Sequence, residues 1–149
     1  MEVNQKLNVG AKEFFDTLAS SVAYDISQST GKTVTPDQIY SGYCYKKKMK
    51  NKMGQESYVN VMVKQFVSPS RYEAKFSSSQ GANSIFYEIE DDKDGNIVVH
   101  YREGFEGESI FSSLNYKIVS WFYQRSSRKR VSRMLLSMES VIRTKAKEN

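Results

Sequence analysis

Residues 2–9 alternate in character. Val3, Gln5, Leu7 and Val9 fall on one face, and Glu2, Asn4, Lys6 and Asn8 on the other. That two-residue period marks a half-buried strand. Gly10 ends it, and the period then changes. Phe14, Phe15, Leu18, Val22 and Ile26, with Tyr24 nearby, line one stripe of a helix. The helix is expected to end near Thr30 and Gly31, because glycine takes the left-handed cap conformation without a Cβ penalty. Thr35 then offers a capping oxygen, Pro36 a pre-set φ, and Asp37 a negative charge near a positive helix end. A short second helix is predicted over residues 36–41.

From residue 42 to 106 the pattern is that of consecutive strands. Residues 43–50 alternate aromatic side chains with lysines, and residues 51–54 form a turn. In residues 57–67, Val59, Val61 and Val63 fall on one face, with Tyr58, Met62 and Phe66 on the other. Ser68, Pro69 and Ser70 turn the chain. Tyr72, Ala74 and Phe76 mark the next strand, and Ile85, Tyr87 and Ile89 another, with Glu88 and Glu90 outward. Asp94 and Gly95 signal a hairpin. Ile97, Val99 and Tyr101 return inward, with His100 and Arg102 opposite.

The remainder predicts one long helix from about residue 109, roughly 55 Å if straight. Its apolar stripe drifts. Ile110, Phe111, Leu114, Ile118, Trp121 and Phe122 cluster on one side, and Val131, Met134, Leu135, Met138 and Ile142 on another. A bend, bulge or short break is therefore expected over residues 124–130, where Ser126 and Ser127 compete for backbone hydrogen bonds. An antiparallel sheet with one apolar face needs a cover, and this helix is the only element long enough to supply it. The predicted fold class is α+β. A curved antiparallel sheet of about six strands wraps around a long C-terminal helix, with two helices after the first strand.

Charge refines this picture. The net charge is +5 over 149 residues, but it is segregated. Residues 42–80 hold 8 basic and 2 acidic groups, residues 81–108 hold 2 and 8, and residues 109–149 hold 9 and 2. Much of the basic excess can meet the acidic segment within the fold. The length suits one domain over residues 1–149. A single cysteine, Cys44, rules out an internal disulfide. The start lacks the basic and apolar blocks of a signal peptide, and no apolar stretch is long enough to span a bilayer. A soluble, cytoplasmic protein is expected.

The segments "MEVNQKLNVGAKEFFDTLASSVAYDI" and "FYQRSSRKRVSRMLLSMESVI" resemble the START-like superfamily, also called helix-grip or SRPBCC. More narrowly, they resemble an uncharacterised family of small proteins from Gram-positive bacteria, a domain of unknown function. The resemblance covers nearly the whole chain. It implies a helix-grip fold with an apolar cavity between sheet and last helix. It carries over no catalytic motif.

Candidate chemistry is sparse. His100, the only histidine, has outward parity, and neither Cys44 nor Glu103 forms a local motif with it. Cys44, between Tyr43 and Tyr45, suggests packing rather than a nucleophile. In "EIEDDKDGN", setting Gly95 at the sixth position of a calcium loop puts Tyr101 at the twelfth, where a bidentate Glu is needed. No zinc pair or phosphate-binding glycine loop is present. Neither a metal nor a cofactor is expected, nor is an enzyme.

Two functions remain. The first is non-enzymatic binding of a small apolar or amphipathic molecule, a lipid included. The walls would be Tyr72, Phe76, Ile85, Tyr87, Val99 and Tyr101 from the sheet, and Leu114, Ile118, Trp121 and Phe122 from the helix. The second is a regulatory or interaction module. It would use Arg125, Arg128, Lys129, Arg130 and Arg133 on an anionic partner: a membrane surface, nucleic acid or protein. The lysines of residues 46–50 equally suit an edge strand protected from aggregation. If Trp121 lies under the sheet, Trp121→Ala will cost about 3–5 kcal/mol in a urea melt. A small loss would instead put Trp121 at the surface and favour membrane contact.

Overall fold

A computed structural model describes residues 1–50, 54, 56–79, 81–107 and 116–148, with side chains described except at 49, 50, 106, 107 and 116–126. The order of elements is β1 (Glu2–Leu7), α1 (Ala11–Thr30), a 3-10 turn (Pro36–Gln38), β2 (Cys44–Lys50), β3 (Glu56–Val67), β4 (Arg71–Ser78), β5 (Gly81–Asp91), β6 (Ile97–Gly107) and α2 (Tyr116–Glu148). The six strands form one curved sheet in the order β1-β6-β5-β4-β3-β2, with every neighbouring pair antiparallel. Strands β2 to β6 form a meander, and β1 completes the sheet by pairing with the last strand.

Local chemistry explains each element. Phe14, Phe15, Leu18, Ala19, Val22, Ala23 and Ile26 form the buried stripe of α1. Gly31 ends the helix with φ 74°, and its N–H donates to the Ser27 carbonyl at 3.0 Å. Tyr24, beside the stripe, is exposed. The expected second helix is a single 3-10 turn, closed by the Thr35 N–H donating to Gln38 Oε1 at 3.0 Å. The hairpin at Asp94 and Gly95 is present, with the Gly95 N–H donating to the Asp92 carbonyl at 3.2 Å.

One strand departs from simple alternation. Val59, Val61 and Val63 are buried, and Tyr58 and Met62 are exposed, as their parity requires. Phe66, expected beside Tyr58 and Met62, is not. In the β3–β4 register Val63 faces Ala74 and Gln65 faces Glu73, so Lys64 is an extra residue. Such a bulge reverses the parity beyond it. Phe66 therefore turns inward, 5.2 Å from the Phe15 ring and 6.4 Å from the Tyr72 ring between centroids.

The C-terminal helix also differs from expectation. Residues 108–115, where its start was placed, lie outside the described residues. From Tyr116 the α-helix continues through residues 124–130 without a break. The second apolar stripe is real and has its own partners. Val131, Leu135 and Ile142 are buried, and Met134 and Met138 pack against the core. This half meets β1 and α1. The Asn8 N–H donates to Glu139 Oε2 at 2.7 Å, and Arg143 donates to the Asn8 carbonyl at 3.1 Å. The second stripe thus follows from what this half packs against, and the helix carries no break over residues 124–130. Ser127 is buried in line with Val131 and Leu135, where its small side chain lets the helix approach closely.

The sheet edges suit a chain that stays unpaired. β2 is an edge strand. Its outward Lys48 pairs with Glu56 of β3 at 2.8 Å, and Lys46 lies over the Tyr58 ring. Exposed lysines on an edge discourage further strand addition. Leu135→Ala is expected to cost about 2–5 kcal/mol in urea melts, because Leu135 is fully buried. Lys129→Gln should stay within about 0.5 kcal/mol. Comparable losses in the two variants would mean that α2 does not dock through this stripe.

Candidate functional site

The inner face of the sheet carries a cross-strand row of rings. Phe66 faces Tyr72, Tyr72 faces Tyr87, and Tyr87 faces Tyr101 in register, with Val3 of β1 completing the rung. Ring centroids are 6.0 Å apart for Tyr72 and Tyr87 and 5.0 Å for Tyr87 and Tyr101. These separations suit tilted and edge-to-face aromatic pairs. Phe14 of α1 closes on Tyr87 at 6.5 Å. The next rung holds Val63, Ala74, Ile85 and Glu103, and the one beyond it Val61, Phe76, Asn83 and Phe105.

Each end of this floor carries an ion pair. At one end Asp25 of α1 accepts the Tyr45 hydroxyl at 2.7 Å on Oδ2 and Lys47 Nζ at 2.6 Å on Oδ1. At the other, Glu103 Oε2 accepts the Tyr101 hydroxyl at 2.9 Å and lies 3.7 Å from an Arg130 nitrogen. Glu103 is the inner partner: its side chain is 20% exposed, against 63% for Arg130. The inner acid is legible from the parity of β6, which runs Ile97, Val99, Tyr101 and then Glu103. Sequence reasoning paired Glu103 only with His100 and Cys44 and missed its approach to Arg130, as it missed Asp25.

Between these ends, Tyr72 and Tyr87 are 5% and 6% exposed as residues. Among the described residues their hydroxyls have no hydrogen-bond partner, yet no buried side-chain oxygen or nitrogen is left unsatisfied. Both hydroxyl oxygens therefore keep some solvent contact. A phenol of this kind can orient the polar end of a guest while its ring supplies apolar wall.

The six sheet positions named from sequence lie together on this face. Tyr72, Tyr87, Val99 and Tyr101 are buried, and Phe76 and Ile85 are half-buried. Leu114 and the side chains of Ile118, Trp121, Phe122 and Arg125 lie outside the described residues. Arg128, Lys129, Arg130 and Arg133 are exposed, and of these only Arg130 has an ion-pair partner among the described residues.

The outer face holds the other candidates. His100 Nδ1 is 2.7 Å from Asn4 Oδ1 and Nε2 is 2.9 Å from Glu90 Oε2, so the ring is pinned between neighbouring strands. Cys44 is exposed, which corrects the packing role read from its tyrosine neighbours. An open furrow of about 600 Å³ runs over Glu73, Phe86, Arg102 and Glu2, with Arg102 stacked 4.6 Å above the Phe86 ring. Its lining carries the acids Glu2, Glu73, Glu88 and Glu103 and the bases Arg71 and Arg102, with Arg71 3.9 Å from Glu88. Among the described residues no group of three His, Cys, Asp or Glu side chains comes together. No described helix is long and apolar enough to cross a membrane.

Burial is the first cause that holds Tyr45, Tyr72, Tyr87 and Tyr101 as neutral phenols. The Asp25 carboxylate adds to this at Tyr45, and Glu103 at Tyr87 and Tyr101, while Arg130 opposes it at both. All four ionise above the ordinary value of 10.0. The unfolded chain releases these protons first, so their contribution to stability is complete below about pH 10 and declines above it. In an ultraviolet titration, four of the ten tyrosines are expected to ionise only as the fold is lost. Ten phenols titrating together near pH 10 would contradict the buried row.

Comparison with known proteins places this architecture. A protein of unknown function from Staphylococcus aureus superposes with a TM-score of 0.68 at 14% identity, covering 99% of this chain and 94% of that one. The protein Ara h 8.0201 gives 0.60 at 13%, covering 97% of each chain. A polyketide-cyclase-like protein from Corynebacterium glutamicum gives 0.63 at 10%, covering 100% of this chain and 94% of that one. At these identities the likeness concerns the fold, which is helix-grip. No curated protein matches the chain. The family model described as "Domain of unknown function (DUF3284)" matches residues 1–124, and the chain belongs to that family.

Proposed function

We propose that the chain forms one START-like domain that binds a small apolar or amphipathic molecule between the inner face of the sheet and α2, without chemical conversion. The observation that carries this reading is the pair Tyr72 and Tyr87, buried as residues yet with hydroxyls that keep some solvent contact and are unpartnered among the described residues. A packed core with no guest has no use for such groups, since a phenol hydroxyl gains from a partner when buried. The aromatic rung supplies apolar area, and the half-buried Phe76 and Ile85 extend it. The helix-grip fold of the structural neighbours, one of them a polyketide-cyclase-like protein, is consistent with a guest in this place. Neither of the inner carboxylates faces a free base. Asp25 is held by Tyr45 and Lys47, and Glu103 by Tyr101 and Arg130. That arrangement suits holding rather than acid–base turnover.

A second reading rests on a separate observation. Arg128, Lys129 and Arg133 are exposed and have no ion-pair partner among the described residues. They would suit a weak anionic partner, and any such binding should fall steeply with salt.

Native mass spectrometry and thermal shift against apolar extracts test the first reading. A ligand at a hundred times its Kd adds about 2.7 kcal/mol, a rise of roughly 5–10 °C for a domain of this size. A flat melting temperature across all apolar classes would remove the proposal. Replacing Arg128, Lys129 and Arg133 by Gln decides the second reading. Unchanged binding to anionic vesicles and nucleic acid, or none at low salt, counts against it.

A further inference from the structure

We propose that this site, taken as the binding site above, selects an uncharged oxygen function on a planar apolar molecule and turns away carboxylates of the fatty-acid kind. The argument begins with what the floor leaves available. Of the four tyrosines on it, Tyr45 and Tyr101 spend their hydroxyls on Asp25 and Glu103. Tyr72 and Tyr87 alone keep theirs for a guest. They are neighbours in register, with ring centroids 6.0 Å apart. Two neutral phenol groups side by side offer two donors to the lone pairs of one carbonyl, or of two nearby oxygens.

The charges around them set the sign of what can enter. Glu103 sits one rung from Tyr87 on the same face and accepts the hydroxyl of Tyr101, whose ring lies 5.0 Å from that of Tyr87. After burial, its carboxylate disfavours a negative charge on the Tyr87 phenol, and Asp25, which accepts the Tyr45 hydroxyl, acts in the same sense and more weakly on Tyr72. An anionic head group resting on the two hydroxyls would meet the same repulsion. The balancing cations do not cancel it evenly, because Arg130 reaches Glu103 from the exposed side. A cationic head group fares no better. Both carboxylates already hold a cation, and an ammonium would leave water without gaining one of its own. An uncharged carbonyl avoids both costs. The ring walls of Phe66, Tyr72, Tyr87 and Tyr101 then favour a flat body over a flexible chain.

The test uses one ring system with interchangeable heads: 2-acetylnaphthalene, 2-naphthoate and 2-naphthylmethylamine, titrated calorimetrically at pH 7.4. The ketone should bind at least tenfold tighter than either charged probe. Tyr72→Phe and Tyr87→Phe should each weaken the ketone by up to about tenfold and leave 2-ethylnaphthalene unchanged. Glu103→Gln leaves Arg130 uncompensated and should raise naphthoate affinity relative to the ketone. A merely structural glutamate would not alter that ratio. If naphthoate or the amine binds as well as the ketone, or if Glu103→Gln leaves the ratio unmoved, the head-group proposal is overturned while the cavity stands. If no naphthalene probe binds, 2-ethylnaphthalene included, the cavity reading falls with it.

Discussion

Side-chain alternation across β4, β5 and β6 is the constraint on which the rest of the structure depends. It places Tyr72, Tyr87 and Tyr101 in one rung on the same face, and α1 has a reason to dock only because that rung is aromatic. Phe14 and Phe15 are adjacent in the helix and reach different members of the row, Tyr87 and Phe66. Removing the alignment by one residue in any strand would leave α1 facing polar groups. The position of α1 in turn brings Asp25 over β2, where Tyr45 and Lys47 meet it. Packing and electrostatics here are one arrangement, with the helix supplying the acid that the sheet neutralises.

Most of the fold is legible in the sequence because its signals are local. The period change at Gly10, the glycine after Thr30, the proline after Thr35 and the Asp94–Gly95 hairpin act within a few residues. The inward sets on β4, β5 and β6 follow from parity alone. What escapes local reading depends on distant parts of the chain. The bulge at Lys64 has no glycine or proline to announce it, and it becomes visible only when β4 fixes the register. The continuous course of α2 was hidden for a different reason. A drifting stripe looks the same whether a helix bends or passes from one partner to another. Val131, Leu135 and Ile142 show what the later stripe packs against, β1 with α1.

The candidate site divides in the same way. Its apolar wall from the sheet could be read directly, since each residue has inward parity. Its polar frame could not, because Glu103 meets Arg130 only after α2 has docked, and Asp25 meets Lys47 only after α1 has docked. Ion pairs of this kind carry little pattern in one dimension. Charge segregation between residues 81–108 and 109–149 was the coarse trace of one of them. The signal was present as a sum and absent as a pairing.

The extra residue in β3 bears on how relatives of this chain should be aligned. Identity to the superposed structures is so low that gaps are placed largely by residue similarity. A gap set a residue or two away from Lys64 exchanges inside for outside between the gap and the bulge. Phe66 would then be matched to surface positions, and a substitution there would be scored as harmless when it touches both α1 and the tyrosine row. Alignments anchored on the β3–β4 register, with Val63 opposite Ala74 and Phe66 opposite Tyr72, keep the lining of the site in one column.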